Sequence, residues 1–230
     1  MPLKLYAVSD GPPSLAVRMA LKYLNINYEL INVDFCKGEH LTDEYGKKNP
    51  QKEIPVLDDD GFFLGESNAI LQYLVDQYGK SDELYPKEPK ARAIVNHRLC
   101  FNLAFYYSRI MRHALAPMFF DYQRTPLTQK MLEMALDAFN IYLQQLGTKY
   151  AAADHVTIAD FQLITATLCL EAINFDISGY PLVAKWYATF KEDHPDLWAI
   201  AAGGMAELVE FEKNPPDLGH LNHPFHPVRK

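Results

Sequence analysis

The chain has 230 residues, of which 49% are hydrophobic and 22% are charged, a balance typical of a globular protein with a substantial core. Its formal net charge of −7 and pI of about 5.6 argue against a general nucleic-acid or anionic-membrane surface, because neither partner finds a basic field. The sequence has no stretch long and apolar enough to span a bilayer, and its start lacks an apolar signal region. We therefore expect a cytoplasmic protein without a nucleic-acid or membrane partner.

The first part of the chain predicts an α/β unit. Leu3 to Ala7 alternates as a strand, and turn residues then lead into an amphipathic helix from Ser14 to Leu24. Asn25 to Asn27 interrupts the pattern, and Tyr28 to Val33 predicts a second strand. A strand, a helix and a strand in about thirty residues are typical of a βαβ unit, whose two strands are parallel.

A second group of elements follows at residues 49–78. We expect Pro55 to enter an edge strand, which Asp58 to Gly61 connects to a partner strand at 62–64 as an antiparallel hairpin. A proline at this place can hold the preceding peptide cis, so that the backbone N–H and C=O of Ile54 face outward and can pair with an extended peptide. The helix predicted from Glu66 to Tyr78 begins with a hydroxyl and free N–H groups, which suit a carboxylate.

The rest of the chain predicts helices only. Residues 81–89 are rich in proline and charge and form the predicted linker between domain 1–80 and domain 90–213. Pro117 marks a kink or end of the first long helix, predicted over 90–116. Further helices are expected at 126–146, after a Thr157 to Asp160 capping box, at Pro181 and at Pro195. The helix after the capping box is apolar on every side and should be the buried centre, and residues 214–230 form an irregular tail.

Two residue groups invite other chemistry. Three histidines spaced three apart suggest a metal site, but Pro224 breaks any helix that would align them, so we predict no metal. The three cysteines are far apart and form no CxxC pair, so we predict neither a disulfide framework nor a zinc site. The residues concerned are His220, His223 and His226, and Cys36, Cys100 and Cys169.

Five short motifs, in this order and spacing, give a resemblance that covers nearly the whole chain. They are GEHL at 38–41, NPQ-x-x-IPVL at 49–57, ESNAI at 66–70, AIVNHRL at 93–99 and TIADF at 157–161. Together they resemble a cytosolic glutathione S-transferase, and among these the insect delta and epsilon classes. The resemblance implies a thioredoxin-like α/β domain followed by an all-helical domain, glutathione as co-substrate, and a homodimer.

By this resemblance, the N-terminal domain binds glutathione. Glu66 takes the γ-glutamyl amine, Ser67 takes its carboxylate with help from Asn68, and the Ile54 backbone pairs with the cysteinyl amide. Lys52 stands where relatives usually have histidine, and because lysine stays charged at pH 7 it should strengthen an ion pair with the glycine carboxylate. The remaining expected glutathione-binding residues are His40, Glu53 and Pro55.

The residue that activates the thiol is less directly indicated. Insect classes use a serine near the start of the first helix, and Gly11 occupies its place here. A free thiol has a pKa of about 8.5, and lowering it by two units takes roughly 2.7 kcal/mol. Ser14 is our first candidate for this role and Ser9 the second. The alternative is activation by the helix dipole and backbone without a hydroxyl.

The electrophile should bind between the domains. A stripe at helical spacing on the long helix resembles the hydrophobic substrate wall of the insect enzymes, although most such stripes belong to a core. The expected residues are Tyr107, Met111, Leu115, Met118 and Phe119, with Pro13 and Phe35 opposite, Leu208 and Phe211 as a lid, and Arg112 at the border. An apolar, aromatic and methionine-rich wall accepts varied hydrophobic electrophiles.

The sequence therefore predicts a transferase that conjugates glutathione to hydrophobic electrophiles, with xenobiotic and insecticide detoxification as the implied role. The absence of a serine at Gly11 leaves a second interpretation, a low-turnover carrier that sequesters apolar ligands. A disulfide-exchanging thioltransferase requires a cysteine near residues 11–14, and the sequence has none there.

Overall fold

The computed structural model of the protein describes residues 3–221. Residues 3–78 contain four strands and three α-helices. The strands are β1 (Leu3–Ala7), β2 (Tyr28–Asn32), β3 (Val56–Asp59) and β4 (Phe62–Leu64), and the helices are α1 (Pro12–Tyr23), α2 (Asp43–Lys48) and α3 (Ser67–Tyr78). A 3₁₀ turn, Glu39–Leu41, precedes α2.

The four strands form one mixed sheet in the order β2-β1-β3-β4. β1 pairs with β2 in parallel, and β3 pairs antiparallel with both β1 and β4. The predicted βαβ unit and hairpin are therefore confirmed. The expectation that Pro55 enters an edge strand is wrong, because β3 lies inside the sheet and β4 forms the edge.

Helix α2 is a short element that the sequence patterns do not predict. The hydroxyl of Thr42 accepts a hydrogen bond from Tyr45 N at 3.2 Å, acidic residues occupy the first turn, and Lys47 and Lys48 occupy the last. These are ordinary helix-end signals. Tyr45 is buried, and its hydroxyl donates to the Glu53 carbonyl at 3.1 Å, so α2 supports the loop that leads to Pro55.

The second domain is helical. Its helices are α4 (Pro89–Phe101), α5 (Tyr107–Ile110), α6 (Ala116–Phe119), α7 (Pro126–Leu146), α8 (Ile158–Ala172), α9 (Pro181–Asp193) and α10 (Pro195–Lys213). The π-helical segments Asn102–Tyr106 and Met111–Leu115 join α4, α5 and α6 into one long rod. The rod continues past Pro117 and ends at Phe119. Because proline has no N–H, the His113 carbonyl one turn earlier accepts instead from Arg124 Nε at 3.0 Å.

Helix α8 is the buried centre of the second domain, as predicted. Asp160, fully buried, accepts hydrogen bonds from the backbone N–H groups of Ala151 and Thr157 at 2.9 and 2.8 Å. Its carboxylate also accepts from Trp186 Nε1 at 2.9 Å. The capping box thereby ties the start of α8 to the preceding loop and to α9.

The described part of the tail, residues 214–221, has no helix or strand and packs back onto the first domain. Leu218 is buried, and the His220 ring donates from Nε2 to the Cys36 carbonyl at 2.9 Å. His223 and His226 lie outside the described residues. Between residues 3 and 221, no three histidine, cysteine or acidic side chains come together in a way that could hold a metal ion.

Candidate active site

Two neighbouring cavities lie where the first domain meets the helical domain. The first, which we call the polar cavity, measures about 300 Å³. It is lined by Pro13, Gln51, Glu53, Ile54, Pro55, Glu66, Ser67, Asn68, Asn102, Leu103, Tyr107 and Gln162. Six of the eight residues predicted to bind glutathione are thus assembled here, together with three polar residues that the sequence analysis did not single out: Gln51, Asn102 and Gln162.

The loop at the floor of the polar cavity is held by the asparagine of the NPQ motif. Asn49 is buried, its Nδ2 donates to the Glu53 carbonyl at 2.9 Å, and its Oδ1 accepts from Gln51 N at 3.1 Å. The Ile54–Pro55 peptide is cis, as predicted. Because β3 begins only at Val56, the backbone of Ile54 lies beyond the ladder between β1 and β3. This arrangement can present Ile54 to an extended peptide.

The start of α3 forms the far wall of the polar cavity. Glu66 caps the helix with a positive φ of 60°, and its Oε1 accepts from Gln51 Nε2 at 2.9 Å. Ser67 Oγ accepts from Gln162 Nε2 of α8 at 2.8 Å, which leaves the hydroxyl hydrogen to donate to a ligand carboxylate. The helix dipole and its first N–H groups favour an anion at the same point.

Two asparagine oxygens give the polar cavity an acceptor side. Asn68 Oδ1 and Asn102 Oδ1 are buried and have no hydrogen-bond partner within residues 3–221, and both residues line the cavity. A buried acceptor without a donor costs about 1 to 3 kcal/mol. A ligand ammonium would supply the missing donors. The cavity therefore offers acceptors near Asn68 and Asn102 and donors at the start of α3, a match for an amino acid's two charged groups.

The second cavity, which we call the apolar cavity, measures about 290 Å³. It is lined by Val8, Asp10, Gly11, Pro12, Pro13, Phe35, His40, Glu53, Ile54, Tyr107, Met111, Leu115, Phe119, Phe120 and Leu208. Four of these residues also line the polar cavity: Pro13, Glu53, Ile54 and Tyr107. The two cavities therefore meet at one shared wall.

The predicted stripe on the long helix reaches the apolar cavity through every fourth residue. Tyr107, Met111, Leu115 and Phe119 all line it. In an α-helix with about 3.6 residues per turn, a four-residue spacing drifts around the axis. The π-helical segment Met111–Leu115 has wider i→i+5 turns, which keep the four side chains on one face.

The remaining predicted wall residues lie elsewhere. Met118 is buried in the core and Arg112 is exposed, so neither lines the cavity, because the four-residue period leaves both off the stripe. Phe211 stands behind the wall, with its ring edge-on to Phe119 at a centroid distance of 5.3 Å. The aromatic side chain that the sequence analysis missed is Phe120, which follows the end of α6.

His40 and Lys52 are placed differently from the prediction. His40 is buried, stacks on Phe35 with ring centroids 4.6 Å apart, and lines the apolar cavity rather than the polar one. Lys52 Nζ donates to the Leu41 carbonyl at 2.6 Å and lies 3.6 Å from the Asp43 carboxylate. Lys52 lines neither cavity, because its ammonium is held toward α2.

The two serines predicted to activate the thiol have different hydrogen-bond partners. Ser9 donates to Glu207 Oε2 at 2.7 Å and lines neither cavity. Ser14 is fully buried, and its Oγ accepts from Val8 N at 3.4 Å. A Cβ placed on Gly11 would lie 3.7 Å from Ser14 Oγ but only 2.6 Å from Val8 Cγ2. A methyl group of Val8 thus fills the space beside Gly11 that a larger side chain would need.

Comparisons with known proteins agree with this architecture. Residues 1–76 match the family model for the glutathione S-transferase N-terminal domain, and residues 104–193 match the model for its C-terminal domain. The chain therefore belongs to the glutathione S-transferase family. Its first domain is thioredoxin-like, glutathione is its co-substrate, and it is an enzyme that conjugates glutathione to hydrophobic electrophiles.

Solved structures narrow the resemblance to insect enzymes. A diazinon-metabolizing glutathione S-transferase of the silkworm Bombyx mori is 57% identical, with a TM-score of 0.86 over 90% of this chain and 100% of that one. A delta-class enzyme of Nilaparvata lugens is 35% identical, with a TM-score of 0.87 over 92% and 99%. An epsilon-class enzyme of the housefly, Musca domestica, is 35% identical, with a TM-score of 0.85 over 93% and 98%.

Proposed function

We propose that glutathione fills the polar cavity and that the electrophile enters the apolar cavity, so that sulfur and electrophile meet at the shared wall. The observation that carries this proposal is the contiguity of the two cavities at Pro13, Glu53, Ile54 and Tyr107. Glutathione is an extended tripeptide with charged ends and an uncharged thiol near its middle. A polar cavity that opens sideways into an aromatic one fits this distribution of charge.

The γ-glutamyl end is assigned to the start of α3. Its carboxylate takes the Ser67 hydroxyl and the N-terminal N–H groups of the helix, and its ammonium takes Glu66 and the oxygens of Asn68 and Asn102. The cysteinyl backbone pairs with Ile54. For the glycine carboxylate, Lys52 stays a prediction, which requires its ammonium to leave the Leu41 carbonyl.

Thiol activation is assigned to the N-terminal end of α1 and the backbone N–H of Gly11. The positive end of the helix dipole stabilises a nearby anion. Ser14 supports the loop through Val8 N rather than meeting the sulfur, and Ser9 bonds to Glu207. The test is the pH profile of conjugation in Ser14→Ala and Ser9→Ala. We expect both variants to keep the wild-type apparent thiol pKa, and a rise of one unit or more in either variant would contradict this assignment.

The biological role that the comparisons favour is detoxification of xenobiotics, including insecticides. The 57% identical silkworm enzyme metabolizes diazinon, and we extend this class of substrate to the present chain. Steady-state conjugation of 1-chloro-2,4-dinitrobenzene and loss of diazinon, each with glutathione, test the proposal. Turnover of both compounds supports it.

The second interpretation of the sequence, a low-turnover carrier, requires that this chain has lost most of the family's activity, and the contact at Gly11 is the observation behind it. Val8 Cγ2 would lie 2.6 Å from a Cβ at position 11, so a serine at this position would require Val8 to shift. Background-level conjugation together with calorimetric binding of glutathione would establish the carrier instead. A thioltransferase receives no support, because no cysteine lines either cavity within residues 3–221.

We further propose a cytoplasmic homodimer, as is typical of the family. Large apolar side chains remain exposed in the single chain, including Phe62 at 51% and Leu103 at 55%. All three cysteines are free, as expected of a reducing compartment. Light scattering after gel filtration tests the dimer, and a mass near the 26.3 kDa of one chain would contradict it.

A further inference from the structure

Asp10 is an acidic residue in the wall of the apolar cavity. It immediately precedes Gly11 and lines the cavity, whereas none of the fifteen lining residues is lysine or arginine. Asp10 belongs to no ion pair within residues 3–221. A carboxyl group in a hydrophobic wall normally carries a cost, because its charge loses water without gaining a partner.

The ionisation of Asp10 depends on its burial in the cavity wall. Burial raises its pKa to about 6, a hydrogen bond from its own backbone opposes this rise, and Glu207 adds to it. The group is therefore mostly ionised at neutral pH. Two groups near the cavity have raised pKa values to which Asp10 contributes. Burial raises the pKa of Tyr107 most, followed by Cys169 and then Asp10. Burial also raises the pKa of Cys36 most, followed by Asp34 and then Asp10.

Aromatic rings surround the same space. The rings of Phe119 and Phe120 lie edge-on to Phe35, with centroids at 6.0 and 6.3 Å, and Tyr107 lines the shared wall. The faces of such rings attract cations, and the attraction grows when the site excludes water. A carboxylate and several aromatic side chains therefore line one cavity, and together they complement a ligand with positive charge on an apolar body.

We propose that Asp10 makes the apolar cavity select electrophiles that carry a cationic or protonated nitrogen next to their aromatic or aliphatic body. This inference deepens the proposed function and rests on it for the identity of the cavity. Asp10 is here a specificity-determining residue that contacts the electrophile. Its carboxylate forms an ion pair with the nitrogen or accepts its hydrogen bond. It forms or breaks no covalent bond in the conjugation.

The test uses two inhibitors of the same shape, the trimethylphenylammonium cation and neutral tert-butylbenzene. Each is titrated calorimetrically into the wild-type protein saturated with S-methylglutathione, whose sulfur carries no charge. We expect the cation to bind at least about tenfold more tightly than its neutral counterpart at pH 7.5. In Asp10→Asn the preference should fall to within about twofold, because the cation loses the carboxylate.

Glu207→Gln is the matched control, because Glu207 lies near Asp10 but does not line the cavity. This variant should keep the preference for the cation. Equal affinity for the two inhibitors in wild type, or an undiminished preference in Asp10→Asn, would overturn the inference. If Asp10→Asn does not fold, Asp10→Leu and the wild-type pH dependence decide the same question.

The pH dependence follows from protonation of Asp10. Cation affinity should be high at pH 7.5 and fall as the pH drops through about 6, while tert-butylbenzene affinity stays constant. The other titratable groups around the carboxyl are Glu207, Tyr107, Cys36, Cys169, Glu53 and His40. A cation affinity that is the same at pH 5 and 7.5 would contradict the role of Asp10.

Failure of the proposed function gives a different result. If wild type releases no heat with S-methylglutathione, the assignment of the polar cavity fails. Titration of the two inhibitors into the protein alone then still measures whether Asp10 distinguishes the cation from its neutral counterpart.

Discussion

The polar and apolar cavities share four wall residues but are built in different ways. The polar cavity takes its floor and far wall from short-range features, namely the Asn49 side chain that holds the loop before Pro55 and the helix start at Glu66 and Ser67. The helical domain closes it with four residues: Asn102, Leu103, Tyr107 and Gln162. The apolar cavity depends on the relative placement of a helical rod, the loop before α1 and α10. The comparison teaches that the floor and far wall of the polar cavity are set by neighbouring residues in the sequence, whereas the apolar cavity is set by tertiary packing.

The first prediction concerns Asp160, which holds the start of α8 in place. Asp160→Ala leaves the N–H groups of Ala151, Thr157 and Trp186 without their buried acceptor, which should cost about 3 to 5 kcal/mol of unfolding free energy. Urea denaturation measures this loss. The exposed Asp196 is the control, and Asp196→Ala should change stability by less than about 1 kcal/mol. A small effect of Asp160→Ala would contradict the central role of α8.

The second prediction concerns the stability cost of a charge in the apolar cavity. The pKa of Asp10 is raised from 3.8 to about 6, so the folded protein holds a proton there that the unfolded chain has released. The contribution of Asp10 to the free energy of unfolding should therefore fall as pH rises from about 4 to above 6, by at most about 3 kcal/mol at about 1.4 kcal/mol per pKa unit.

Asp10→Asn removes this dependence, so the variant should be more stable than wild type at pH 7 and similar to it at pH 4. Denaturation midpoints at the two pH values measure the difference. A variant that is equally or less stable at pH 7 would show that the carboxylate is not desolvated.

The third prediction concerns Ser67, which lines the polar cavity but not the apolar one. Ser67→Ala removes a hydroxyl that we assign to the γ-glutamyl carboxylate, a hydrogen bond to a charged group worth about 1.5 to 3 kcal/mol. The KM for glutathione should rise roughly 10- to 100-fold, with little change in the KM for the electrophile. Ser81→Ala, in the exposed linker, is the control, and a selective rise in the electrophile KM would reverse our assignment of the cavities.

The fourth prediction concerns Phe119, which lines only the apolar cavity. Its expected effect is the smallest of the four. Phe119→Ala removes a ring from the wall of the apolar cavity, where it packs against Phe35 and Phe211. Losing one aromatic contact with the electrophile should cost about 1 kcal/mol of binding free energy. The KM for a neutral aromatic electrophile should rise roughly fivefold while that for glutathione stays constant. Tyr122→Ala, an exposed aromatic outside both cavities, should leave both values unchanged. Equal effects of the two variants would remove Phe119 from the wall.

The same contrast explains what could be predicted from the sequence. The hairpin, the capping box at Thr157 and the helix start at Ser67 follow from short-range patterns, and their positions agree with the structure. Helix α2 also had its signals, with Thr42 before two acids and two lysines after them, but its six residues were too short to show a periodicity.

Other features required the three-dimensional arrangement. The π-helical turns that leave Met118 and Arg112 off the wall follow no simple residue pattern. Lys52 lies within the glutathione motif, yet a contact with Leu41, eleven residues earlier, holds its ammonium. In the sequence, Asp10 is typical of a turn. It becomes part of a cavity wall only because α5 and α10 contribute residues to the same cavity.

The central claim is that the two cavities form one site whose shared wall receives the sulfur. A crystal structure with S-hexylglutathione tests it most directly. We expect the γ-glutamyl group at Ser67, the sulfur between Ile54 and Tyr107, and the hexyl chain among Phe35, Phe119 and Leu208. A hexyl chain that leaves the apolar cavity empty, or a peptide that avoids the start of α3, would contradict the account.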